Sequence, residues 1–164
     1  IETNDEGKEN LFAGRCDVYT TDASGLSSTR AAAADPSKWL VLPEIISKEP
    51  LGPLVRHGDH QWGDVVRWSL NAMIIAEELG ITSENVDASL GSNVPEVLRL
   101  LGVEGSYGEM LELAPDWAYQ ILKQIGNYSE SYEANVGPDT PLEIARGLNA
   151  LWTQGGILYA PPFR

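Results

Sequence analysis

The sequence has few of the features that place a protein in a membrane, on nucleic acid or in a disulfide scaffold. It contains one cysteine, Cys16, so no disulfide can form within the chain. No segment reaches the ~18–20 consecutive apolar residues that span a bilayer. Basic residues are scarce: 11 Lys and Arg stand against 24 Asp and Glu, a net charge of −13. That charge repels nucleic acid and anionic membrane surfaces, so we expect neither as a partner.

Motifs of the common enzyme classes are also missing. The chain has no Gly-x-Ser-x-Gly nucleophile turn, no Walker loop and no dinucleotide-binding glycine loop. Nothing in the sequence places a histidine beside Cys16, which lies in an apolar run and is interpreted as a small buried hydrophobe, or as the partner of a cysteine in a missing part of the protein. We therefore expect no catalytic residue and no cofactor.

The first residues are polar and acidic and do not begin with Met. The segment from Ile1 to Asn10 therefore resembles neither a secretory signal nor a cytoplasmic start. We expect either that a signal was removed or that an N-terminal part is missing.

The first third of the chain predicts short strands alternating with helices. Strands are predicted at 16–20, 39–42 and 51–55, and helices at 5–13 and 27–34. A strand–helix–strand alternation of this length favours a βαβ unit and a small, mostly parallel sheet.

The remaining two thirds predict a largely helical structure. Gly58-Asp59 is typical of a turn and N-cap before a helix over 60–79. Its predicted core face contains Trp62, Val66, Leu70, Met73 and Ile74. Shorter helices are predicted at 83–90, 95–101, 116–126, 128–136 and 142–152, separated by glycines.

Asp22 is the first candidate for a binding residue. It directly follows the strand predicted at 16–20, and the carboxyl ends of parallel strands face the crevice in which open α/β sheets bind ligands. Its carboxylate could pair with a ligand ammonium, and Thr20 and Thr21 add hydroxyl groups beside it. The alternative is that Asp22 caps the helix that follows.

His57-Gly58-Asp59-His60 places two imidazoles and a carboxylate close together. The spacing matches none of the standard helical zinc signatures, and Asp59 also has the N-cap position. We expect two ordinary histidines and no metal site.

Several segments together resemble a known family. They are Leu11–Leu26 (LFAGRCDVYTTDASGL), Leu42–Pro53 (LPEIISKEPLGP), Val55–Asp59 (VRHGD), Gly147–Trp152 (GLNALW) with Gly155-Gly156, and Leu158–Arg164 (LYAPPFR). The combination resembles the polar amino-acid-binding proteins of bacterial ABC transporters, and the general L-amino-acid-binding subfamily in particular. Nearly the whole chain is covered.

The resemblance implies an α/β fold like that of the type II periplasmic binding proteins, in which two lobes joined by hinge strands close on the ligand. This chain resembles the C-terminal half of such a protein. Residues 1–47 would form the end of the second, ligand-binding lobe with a return hinge strand near Glu44–Lys48. Residues 48–164 would form the C-terminal part of the first lobe, with a helical extension.

The resemblance also implies a site and partners. The family's aspartate at the position of Asp22 takes the α-ammonium of the ligand, and Thr21 and Thr20 lie beside it. The arginine and the helix terminus that hold the α-carboxylate belong to the missing half. The implied partners are an L-amino acid, the ABC permease in the membrane and the complementary N-terminal half or a second copy, in a periplasmic location. Two alternatives remain open, namely an assembly module without ligand binding and an unrecognised enzyme that uses acidic residues.

Overall fold

The computed structural model describes residues 2–48 and 50–163, which form two compact units. The first unit comprises Ile1–Leu51 and Val136–Ala145, and the second comprises Gly52–Asn135 and Arg146–Arg164. Ile1, Glu49 and Arg164 belong to the predicted ranges 1–47 and 48–164 but lie outside the described residues. The assignment of these ranges to two lobes stays a prediction.

Among its described residues, the first unit contains two α-helices and one short 3-10 turn. Helix α1 is Asn4–Phe12, helix α2 is Ala23–Ala31, and the 3-10 turn is Pro36–Lys38. The prediction of a helix over 5–13 is confirmed. Helix α2 begins four residues before the predicted start at Ser27, because Asp22 supplies the N-cap.

The strands predicted at 16–20, 39–42 and 51–55 are not formed among the described residues. These segments are irregular chain, and within residues 2–48 and 50–163 the one bridge of sheet type joins Leu151 to Leu158. A strand requires a neighbouring strand to take its backbone N–H and C=O groups, so β-propensity alone does not produce one. Apolar side chains in these segments face solvent: Leu40 is 79% exposed and Leu54 is 98% exposed. The parallel sheet therefore stays a prediction, and it would require strands from a further segment of protein to pair with these segments.

The second unit is helical, as predicted. A helix over 142–152 is the exception: Gly147 has a left-handed φ of 48°, and this region forms 3-10 turns instead. A short helix at 107–110 was not predicted. The elements are α3 (His60–Glu78), α4 (Val86–Ser89), α5 (Pro95–Leu100), α6 (Tyr107–Met110), α7 (Trp117–Gln124), α8 (Tyr128–Asn135) and 3-10 turns at Gly147–Asn149 and Trp152–Gln154.

Helix α3 is the central element of the second unit. Asp59 caps it, accepting a hydrogen bond from the backbone N–H of Trp62 at 3.1 Å, as predicted. The helix packs against α5, α7 and α8. Its fully buried residues lie in its C-terminal half, and they are Ala72, Ile74, Ile75 and Ala76. The predicted core face was partly wrong, because Trp62, in the first turn of the helix, is 55% exposed.

The C-terminal tail packs into the second unit. The ring of Phe163 lies 5.2 Å from that of Trp68, 5.4 Å from Tyr107 and 6.2 Å from Trp117, between ring centroids. The carbonyl of Phe163 accepts a hydrogen bond from Nε of Arg99 at 3.0 Å. No helix among the described residues combines the length and apolar composition needed to cross a membrane.

Candidate functional site

Asp22 holds the N-terminus of α2 and is itself held by its neighbours. Its Oδ2 accepts hydrogen bonds from the hydroxyl of Ser24 at 2.6 Å and from the backbone N–H of Gly25 at 2.8 Å. Its Oδ1 accepts one from the hydroxyl of Thr21 at 3.2 Å. The predicted cap is therefore present, and one carboxylate oxygen keeps accepting capacity for a further donor.

Hydrogen bonding favours the ionised form of Asp22. The hydroxyl of Ser24, followed by the backbone N–H of Gly25, lowers the pKa of this carboxyl below its ordinary value, and partial burial opposes the change. The side chain is therefore an anion with a fixed orientation at neutral pH. Such a group can accept a charge-assisted hydrogen bond from an ammonium.

Thr20 and Thr21 line a cleft of about 420 Å³ within the first unit. Asp22 is not among the residues that line it. The cleft is mainly apolar, and the rings of Phe12 and Trp39 meet edge to face inside it with centroids 5.3 Å apart. The lining residues are Leu11, Phe12, Asp17, Val18, Tyr19, Thr20, Thr21, Leu26, Thr29, Arg30, Lys38, Trp39, Leu40, Val41, Leu42 and Ile46.

The charge of Arg30, which lines this cleft, is already paired. Its Nη2 lies 2.8 Å from Oε2 of Glu143 and donates to the carbonyl of Leu142 at 3.2 Å. The cleft thus offers mainly apolar contact area to whatever fills it, whereas Asp22 offers a charge.

The sequence placed Asp22 correctly at an element boundary and named Thr21 beside it, but it did not assign Ser24 and Gly25 as the other two donors to the carboxylate. The positions of Ser24 and Gly25 were the available signal: an Asp N-cap accepts from a backbone N–H two or three residues later, here that of Gly25, and the hydroxyl of Ser24 is within reach of the same carboxylate. His57 lies in the turn before α3, and Asp59 is used as its cap. Among residues 2–48 and 50–163, no group of three or more His, Cys, Asp or Glu could hold a metal ion.

Three relatives share much of the sequence. The chain is 54% identical over its whole length to the glutamate/glutamine/aspartate/asparagine-binding protein BztA of Rhodobacter capsulatus, and 52% identical to the putative amino-acid ABC transporter-binding protein YhdW of Escherichia coli K12. It is 56% identical over 154 residues, or 93% of the chain, to the general L-amino acid-binding periplasmic protein AapJ of Rhizobium johnstonii. No protein-family model matches.

These relatives are longer proteins. The chain covers 49%, 48% and 45% of them respectively, so it spans about half of their length. A solved structure gives the same proportion. The whole chain superimposes, with a TM-score of 0.93 and 49% identity, on 52% of an ABC transporter periplasmic binding protein from Brucella ovis with glutathione bound.

Proposed function

We propose that this chain, which is homologous along its whole length to amino-acid-binding proteins of ABC transporters, forms about half of an extracytoplasmic solute-binding component. That component would capture L-amino acids and deliver them to a membrane permease. The observation that carries the proposal is 52–56% identity to three such binding proteins, over 93–100% of the chain. The relatives are named for binding, and we propose that this chain likewise performs no covalent chemistry.

The division of the chain into two units supports a two-lobed parent protein, with one difference: residues 136–145 group with the first unit. In the proposal, residues 1–47 end the ligand-binding lobe and return through a hinge strand, and residues 48–164 complete the first lobe with its helical extension. Closure of the two lobes on the ligand would be a hinge motion, and the ligand would select the closed state.

Within this scheme, Asp22 would take the α-ammonium of the ligand, with Thr21 and Thr20 beside it. Three hydrogen bonds already fix the carboxylate of Asp22, so little ordering is needed when the ammonium arrives. Groups for the ligand's α-carboxylate would come from the complementary half. We accordingly expect the 164-residue chain to bind free amino acids poorly by itself.

The proposed location is the periplasm, and the proposed delivery partner is the permease of an ABC transporter. The name of the Rhizobium johnstonii relative specifies the periplasm, and the name of the Escherichia coli relative specifies the transporter. An assembly module without ligand binding remains the alternative function, because the chain spans only half of those relatives.

A chimera tests the proposal directly. The N-terminal half of the Rhodobacter capsulatus relative would be fused to this chain, and calorimetric titration would compare Glu, Gln, Asp, Asn and an apolar L-amino acid. Glutathione belongs in the panel, because the Brucella ovis protein holds it and its γ-glutamyl end carries the same α-ammonium and α-carboxylate.

We expect saturable heat with at least one L-amino acid and none with its N-acetyl derivative, which lacks the ammonium. A folded, monodisperse chimera that binds no member of the panel would refute the proposal. If the chimera bound glutathione and no free amino acid, the proposed ligand would have to change from an amino acid to a peptide.

A further inference from the structure

A small groove with two carboxylates and two exposed aromatic rings opens on the second unit. Its volume is about 190 Å³. Glu78 lies at the end of α3, and Glu96 in the first turn of α5. The complete lining is Ile75, Glu78, Leu79, Glu96, Trp152, Tyr159, Ala160, Pro162 and Phe163.

The aromatic wall of the groove is held in place. The indole Nε1–H of Trp152 donates to Oε1 of Glu78 at 3.1 Å, and the ring meets Tyr159 edge to face with centroids 5.5 Å apart. The turn carrying Trp152 needs glycine at position 156, where a Cβ would clash with the carbonyl of Ala150. Burial of Phe163 anchors the tail that carries Tyr159. The groove therefore exists before anything occupies it.

The groove combines exposed aromatic surface with two carboxylates that have no ion-pair partner among residues 2–48 and 50–163. Trp152 is 50% exposed and Tyr159 is 71% exposed. The carboxylate of Glu78 stands at the C-terminal, negative end of a 19-residue helix, where a cation would be stabilised. Among the described residues, neither Glu78 nor Glu96 has an ion-pair partner and no basic side chain lines the groove.

We propose that this groove binds an arginine side chain of a partner protein. The cavity is smaller than the ~300–1,000 Å³ typical of small-molecule sites, so it suits one protruding side chain. Aromatic faces attract cations, and a planar guanidinium can both stack on a ring and donate to carboxylates. The charge of the groove is complementary to arginine, whereas a neutral side chain would give the two carboxylates no counter-charge beyond what the described residues supply.

Titration with a blocked peptide, acetyl-Gly-Arg-Gly-amide, tests this inference. The five tryptophans give five indole N–H signals in a ¹H–¹⁵N spectrum, and a Trp152→Phe variant identifies the signal of Trp152. We expect this signal to shift and saturate with the arginine peptide. The isosteric citrulline peptide, which has no charge, should leave it unchanged.

Two substitutions and one matched control locate the binding. Glu78→Gln and Glu96→Gln should each lower the affinity for the arginine peptide by about threefold to fivefold, as expected for partly exposed ion pairs. Glu133→Gln, an exposed carboxylate of α8 outside the groove, should have no effect.

Equal binding of citrulline, no shift at Trp152, or equal effects of all three variants would overturn the inference. If free guanidinium saturated the groove at the same concentration as the peptide, a partner protein would not be required as the occupant. If a lysine peptide bound with equal affinity, the groove would not be selective for arginine. Glu78→Gln in the chimera should leave amino-acid binding intact. The arginine groove and the proposed function therefore have separate readouts, and either one can be refuted without the other.

Discussion

Arg146 holds the carboxylate of Glu77, with Nη2 at 3.0 Å from Oε1 and 3.1 Å from Oε2. The same guanidinium lies 5.3 Å from the ring centroids of Tyr128 and Tyr132 and donates to the carbonyl of Asn149. The two charged side chains are only 16% and 10% exposed. This contact ties the segment after Ala145 to α3 and α8.

Replacing Arg146 with Met should destabilise the chain by about 3 kcal/mol, because it leaves the carboxylate of Glu77 nearly buried and unpaired. Urea unfolding would measure the change. Arg67→Met is the matched control: Arg67 is 71% exposed and lies 3.5 Å from Asp64, so its loss should cost less than ~1 kcal/mol. Equal effects of the two variants would contradict the importance of the buried pair.

Leu122 and Leu70 should differ in their contribution to stability. Leu122 has no exposed surface, and Leu122→Ala should lower the free energy of unfolding by about 2–5 kcal/mol. Leu70 lies on the predicted core face of α3 but is only half-buried, so Leu70→Ala should cost less. Thermal and urea unfolding would measure the stability of both variants. A larger loss of stability in Leu70→Ala than in Leu122→Ala would support the core face predicted from the sequence.

Asp22→Asn should separate the cap from the proposed ligand contact in the chimera. Asn caps helices about as well as Asp, so the melting temperature should hardly change. Loss of the charge should lower the affinity for every L-amino acid that binds, by roughly 30-fold to several-thousand-fold. Asp35→Asn is the control, since Asp35 caps the 3-10 turn by accepting from Ser37 N at 3.2 Å. An unchanged affinity in Asp22→Asn would refute the ligand role.

The protonation of Asp22 should depend on Ser24. The hydroxyl of Ser24 is the largest cause of the lowered pKa, so Ser24→Ala should raise the pKa of Asp22 toward its ordinary 3.8. A lowered folded-state pKa stabilises the fold above pH ~3.8, and this contribution is lost as the pH falls through the folded value. Carboxyl ¹³C titration would measure the shift, with Ser28→Ala as a control on the exposed side of α2. An Asp22 titration unaffected by Ser24→Ala would contradict the assignment.

The chain alone should associate through residues of the 40–46 segment. Leu40, Leu42, Ile45 and Ile46 are 79%, 62%, 77% and 82% exposed, and such apolar surface favours association. Light scattering should detect dimers or larger species at micromolar concentration. Adding the N-terminal half of the Rhodobacter capsulatus relative should replace them with a one-to-one complex. Ile46→Ser should reduce self-association and Ser47→Ala should not. A stable monomer throughout would argue against this surface.

The sequence determined the helices whose boundaries carry their own signals. Asp59 before the apolar repeat of α3, Gly80 after it and Pro95 at the start of α5 set local backbone geometry, and the structure places helices there. Asp22 was likewise recognisable as a boundary residue, because an N-cap uses only groups a few positions away along the chain.

Tertiary structure decided what depends on distant residues. Which face of α3 is buried depends on where α5, α7 and α8 pack, so Ile75 is buried while Trp62 is exposed. The ion pair of Arg146 with Glu77 and the groove at Trp152 join segments about 70 residues apart. The predicted strands also depend on distant residues, and here the partner segment that they need is not found among the described residues. The β-propensity of residues 16–20 is local, but a strand exists only when another chain segment satisfies its backbone hydrogen bonds.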